Sequence, residues 1–153
     1  MENKIICPVC GKYAFSEECD YDICKFCGWE NDGCSESGGA NGLSLKDYRT
    51  RYEMYLAAYP EYVWKNTPFL ELTEKDKCLY YHKFSTANRG HISKSDKCGC
   101  FFCLKIFDKS EVSDYLEDNT ALCPICGVDS VLPDAKAELS YILLENMYKV
   151  WFE

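Results

Sequence analysis

The sequence predicts a small α+β fold: two cysteine-centred β-hairpin modules, each followed by a helix. Three observations predict it. Cysteines fall into four Cys-x-x-Cys pairs, two towards each end of the chain. Short runs suited to strands lie beside those pairs. Apolar residues then recur at helical spacing after each double pair. The chain has 153 residues, of which 47% are hydrophobic and 15% aromatic, so a real core is available and low-complexity disorder is excluded. The expected layout is an N-terminal module over 1–59, a connector over 60–97 and a C-terminal module over 98–153 with a closing helix.

In the first module, Cys7-Pro8-Val9-Cys10-Gly11 is answered by Cys24-Lys25-Phe26-Cys27-Gly28, with 13 residues between the pairs. Thiolates two residues apart on a tight turn can grip one tetrahedral ion. Cys7, Cys10, Cys24 and Cys27 are therefore the expected ligands of one structural zinc. Gly11 and Gly28 follow the second cysteine of each pair, where a positive φ points amides at the sulfurs. Tyr13–Phe15 and Tyr21–Ile23 read as strands. Cys19 and Cys34 are left over. Gly38–Gly42 is a turn. A helix follows, capped by Ser44 with Asp47 near the position that closes a capping box. Leu45, Tyr48, Tyr52, Leu56 and Tyr59 form its apolar stripe, read as core, and Pro60 ends it.

These two cysteine knuckles, continued by Trp29-Glu30-Asn31-Asp32-Gly33 and by Gly39-Ala40-Asn41-Gly42-Leu43-Ser44-Leu45, resemble the bacterial cysteine-rich CPCC family over about residues 5–57. Val9 stands where that family has its name-giving third cysteine, and the metal pair survives. The resemblance implies a small zinc protein of a kind often linked to bacterial toxin–immunity loci.

Over 60–97, Pro60, Pro68 and a mixed polar run argue against one long helix. Thr73 with Asp76 starts a short helix through Leu79, Tyr80 and Phe84. His82 and His91 are the chain's 2 histidines, and neither sits in a His-Glu-x-x-His frame. Lys75, Lys77, Lys83, Arg89, Lys94 and Lys97 make this the basic part of the chain.

In the second module Cys100 and Cys103 are answered by Cys123 and Cys126 across 19 residues, the expected ligands of a second zinc. Cys98 is an alternative ligand to Cys100, and Cys78 is spare. Ser110 is expected to cap a short helix carrying Val112, Tyr115 and Leu116, with Ala121-Leu122 as a strand. The closing helix shows Leu139, Ile142, Leu143, Asn146 or Met147, and Val150 on one face. The run from Cys98 to Cys103, with Ile106-Phe107, Thr120–Val131 and Trp151-Phe152, looks like a second group of uncharacterised bacterial cytoplasmic proteins over about residues 88–152. Asp134-Ala135-Lys136 stands where that group has Gly-Tyr-Pro. Whether each module is a zinc ribbon or a treble clef is left open by the spacing.

The N-terminus, Met1-Glu2-Asn3-Lys4-Ile5-Ile6, lacks the apolar run of a signal peptide, and no stretch approaches the length of a membrane span. A cytoplasmic location is expected. Reduced thiols there favour metal over a disulfide framework. Four thiolates saturate zinc and leave no open position for water, so the sites should stabilise rather than catalyse. An iron–sulfur cluster and thiol redox chemistry are the other uses of such cysteines. No enzymatic motif is present.

Net charge is −8, with −5 over residues 1–42, +3 over 43–97 and −6 over 98–153. Acidic modules suit a basic protein partner. The expected function is therefore a non-enzymatic zinc protein binding another protein, with an immunity protein against a bacterial toxin, such as a basic nuclease, implied by the resemblance. A nucleic-acid-binding or regulatory module using 43–97 is the alternative.

Overall fold

The structure, a computed structural model, describes residues 4–65 and 71–153. Met1-Glu2-Asn3 and Pro68, both used above, lie outside the described residues. The chain divides into two compact units, Met1–Leu72 and Thr73–Glu153. The stretch 60–97 does not stand apart as a connector. Its second part, from Thr73 on, belongs to the C-terminal unit, because the helix that Thr73 begins packs there. No described helix is long and apolar enough to cross a membrane.

In the N-terminal unit, β1 (Ile5–Ile6) pairs antiparallel with β2 (Ala14–Phe15), with Ile5 opposite Phe15. The second expected strand, Tyr21–Ile23, does not form. Cys19 and Tyr21 sit in the left-handed region, at φ 55° and 58°, and only a single bridge joins Ile23 to Glu30. Asp20 organises this loop instead. Its carboxylate accepts from the Ser16 and Asp22 amides and from Asn31 Nδ2, as short polar side chains do in turns.

Helix α1 (Leu45–Ala58) begins at Ser44, whose hydroxyl accepts from the Asp47 amide at 3.1 Å. Tyr48, Tyr52 and Tyr55 are buried against Phe15, Trp29 and three of the cysteines. Tyr59 leaves the expected stripe at 53% exposure. It is the C-cap, with non-helical φ and ψ, so its side chain falls off the helical face that Tyr55 occupies.

The C-terminal unit opens with α2 (Glu74–His82), closed at its start by a reciprocal Thr73–Asp76 capping box as the sequence predicts. A 3-10 turn (Lys83–Ser85) and α3 (Arg89–Ser93) follow. Strand β3 (Lys97–Cys100) is the centre of a three-stranded antiparallel sheet between β4 (Ile106–Asp108) and β5 (Val131–Pro133). Cys98 stands opposite both Phe107 and Pro133.

Ser110 caps nothing. It lies inside a 3-10 turn (Lys109–Glu111) that Asp108 caps, with Glu111 reaching back to close the box. The turn ends at Val112, so the expected helix is absent, and Tyr115 and Ala121 share one isolated bridge.

The closing helix α4 (Tyr141–Phe152) starts at Ser140, which accepts from the Leu143 amide. Its buried residues are Leu144 and Met147, whereas Ile142 is 69% exposed. The expected face is therefore displaced. Gly99 explains the choice: a side chain there would come within 3.1 Å of Leu144 Cδ1, so the bare backbone of β3 admits Leu144.

Asn88 ties this unit together. It is wholly buried, donates to the carbonyls of Phe84 and Val131 at 2.9 and 2.8 Å, and accepts from the Ala121 amide at 3.0 Å. Each buried group left without its partner costs about 1–3 kcal/mol. Asn88→Ala is expected to destabilise the C-terminal unit by roughly 3 kcal/mol or more in chemical denaturation. A loss under about 1 kcal/mol would contradict this role.

Candidate metal centres

Each Cys-x-x-Cys pair forms the same turn. The amide four residues on donates back to the carbonyl of the first cysteine: Gly11 to Cys7 at 2.9 Å, Gly28 to Cys24 at 2.8 Å, Leu104 to Cys100 at 2.8 Å and Gly127 to Cys123 at 2.9 Å. The closing residue has positive φ in all four, at 68°, 80°, 64° and 77°. Leu104 does this without being glycine, which is why the sequence signal is weakest at that turn. A second backbone bond clamps the base of each turn, from the amide of Cys7, Cys24, Cys100 or Cys123 to Tyr13, Trp29, Lys105 or Val128.

The turns face each other in pairs. Cys7, Cys10, Cys24 and Cys27 form one group, and Cys100, Cys103, Cys123 and Cys126 the other, with all four sulfurs of each within 4.8 Å of one another. All eight predicted ligands are thus brought together, four and four. The shortest approaches are 3.6 Å for Cys7–Cys27, 3.5 Å for Cys10–Cys24, 3.7 Å for Cys100–Cys126 and 3.8 Å for Cys103–Cys123. A tetrahedral zinc with bonds of about 2.3 Å sets its sulfurs about 3.8 Å apart. A disulfide needs about 2.05 Å. The spacing fits a shared ion, and either group could hold one.

Electrostatics agrees with that fit. The Cys7 thiol is held down to about 4 by hydrogen bonds from Cys24 and Cys27, with the Cys10 and Val9 amides adding to the effect. Cys27, facing Cys24 and Cys7, is pushed up. In the second group burial pushes Cys100 and Cys103 up. Burial also opposes ionisation of Cys123, but the Cys126 and Ile125 amides outweigh it and lower its pKa. Four such thiols cannot all ionise side by side unaided. A divalent cation between them removes the conflict.

The remaining cysteines stay outside both groups. Cys98 is fully buried, and its thiol is pushed up to about 11, chiefly by burial. It shares a strand face with Cys100 but is not among the four sulfurs that lie within 4.8 Å of one another. Cys78 is buried in α2 and pushed up to about 11 for the same reason. Cys19 is exposed, and Cys34 donates towards the Glu36 carbonyl at 3.5 Å. His82 stacks on Trp151, and His91 packs edge-on to Phe84, so neither joins a metal group.

Sequence reasoning missed how α1 grips the first site. Tyr48 donates its hydroxyl to the Cys27 carbonyl at 2.8 Å, and Arg49 Nε donates to the Pro8 carbonyl at 2.7 Å. One helical turn thereby fastens both knuckles. Tyr48 was legible as an apolar stripe residue, but nothing in the pattern marks its hydroxyl.

Residues 5–69 match the model of the cysteine-rich CPCC family. The CPCC match includes both knuckles and all of α1, so the helix is part of the family unit and not an appendage. It ends before the second module. No curated protein and no solved structure matches the chain. In the CPCC module Val9 packs against the buried cluster.

A metal that supplies roughly 10–16 kcal/mol exceeds the stability of a typical domain. Cys24→Ser is expected to cut the metal content from two ions to one and unfold the CPCC module selectively. Cys123→Ser should do the same to the other unit. Elemental analysis with limited proteolysis checks both, and two retained ions in either variant would contradict the grouping.

Proposed function

We propose that this chain is a non-enzymatic zinc protein whose two metal centres stabilise surfaces that bind another protein. The observation that carries this reading is the closed set of four thiols in each group. Four sulfurs complete a tetrahedral zinc and leave no position at which water or substrate could be activated. A single ion such as zinc, and not an iron–sulfur cluster, is favoured because all four sulfurs of each group lie within 4.8 Å of one another.

Acidic charge and exposed aromatic groups support a protein partner. Tyr21, Tyr141, Phe102, Trp151 and Phe152 are exposed large side chains. The partner is a basic protein in the cytoplasm. The finer form of this reading is an immunity protein that neutralises a bacterial toxin, such as a basic nuclease. It rests on the CPCC resemblance and on the charge, since an acidic inhibitor competes for a phosphate-binding surface.

The nucleic-acid alternative draws on the basic stretch 43–97, but many of those cations are engaged at home. Arg49 is committed to Pro8, Lys77 to Glu74 and Lys97 to Asp108. Lys83 and Arg89 lie over the rings of Tyr80 and Tyr115.

Native mass spectrometry of the full chain from a bacterial lysate, joined to DNA and RNA titrations, tests the reading. The expected result is two zinc ions, a basic protein bound one to one and inhibited by the chain, and weak nucleic-acid binding. Tight DNA or RNA binding that falls steeply with salt would overturn it.

A further inference from the structure

Tyr52 lies on α1 and is 3% exposed, in the same buried cluster as Cys7, Cys24 and Cys27, with Cys10 packed against it. Its hydroxyl oxygen is buried and has no hydrogen-bond partner among the described residues. Leaving such a group unsatisfied costs about 1–3 kcal/mol, and a phenylalanine would fill the same space without that cost. No described group supplies its acceptor, and the sulfurs of the first group lie in the same cluster.

The helix carries Tyr52 beside the residues that bind the two knuckles. Tyr48 and Arg49, one turn earlier, already fasten α1 to the second and first knuckles. Tyr52 follows them by four and three residues, on the same face. Arg49 reaches the first knuckle, the one that carries Cys7 and Cys10. Cys10 is also the half-exposed member of the four and takes the Lys12 amide at 3.4 Å. A zinc bound by four thiolates keeps a net charge of −2, which further donors stabilise.

We propose that Tyr52 is a positioning residue that donates its O–H to the Cys10 thiolate when the N-terminal site is loaded. This rests on the reading of that group as a metal site. The hydroxyl holds the half-exposed ligand against solvent and slows release of the ion. It also draws electron density from the Cys10 sulfur.

The test uses the full chain in a Cys123→Ser background, where zinc release to a chromophoric chelator reports the N-terminal site alone. Tyr52→Phe is expected to release zinc about ten-fold faster, in the range seen when partners of metal ligands are removed. The sulfur-to-metal charge-transfer band of the cobalt(II) form should also shift. An unchanged release rate and band, with equal or higher melting temperature, would mean the hydroxyl is simply unsatisfied and would overturn the proposal. A parent chain whose N-terminal group takes up neither zinc nor cobalt would overturn the metal reading and this inference with it.

Discussion

Convergence of four thiolates on one point is the constraint on which each unit depends. In the N-terminal unit β1 and β2 are two residues long. Such a hairpin is at best marginal in water. What holds it is the pair of clamped turns and the sulfurs they present. Cys7, Cys24 and Cys27 are themselves buried core residues, so the metal site and the core are one object. The C-terminal unit has a three-stranded sheet and a richer core. Yet its cysteines come from the end of β3, the turn that follows it, and a loop outside the sheet.

The sulfurs also set an electrostatic requirement. Crowded thiolates repel one another, and the turn geometry answers with inward amides and positive φ at the closing residue. A divalent cation held by the four sulfurs would supply the rest of the compensation. That division of labour explains why the same turn occurs four times with different residues between its cysteines. It also explains why α1 and Asn88 matter. They fasten the cysteine loops to the rest of each unit, and so keep the thiols at a spacing one ion can bridge.

The grouping of eight cysteines four and four was legible in the sequence, because a two-residue gap between cysteines encodes a turn directly. Helix starts were legible at Ser44 and Thr73, where the cap is local chemistry. Ser110 misled because Asp108 and Glu111 form a competing cap two residues earlier, at the end of a strand. The α4 face misled because its phase is set by Gly99 on a distant strand, which no helical periodicity contains. Tyr21 reads as a strand residue by propensity, but the Asp20 hydrogen bonds hold the chain in a left-handed turn. The roles of Tyr48, Arg49 and Asn88 depend on contacts across 21 to 43 positions, beyond any local pattern.

X-ray absorption at the zinc edge tests the central claim most directly. The account predicts two zinc ions per chain, each surrounded by four sulfurs at about 2.3 Å. Nitrogen or oxygen in the first shell, or a single ion per chain, would contradict it.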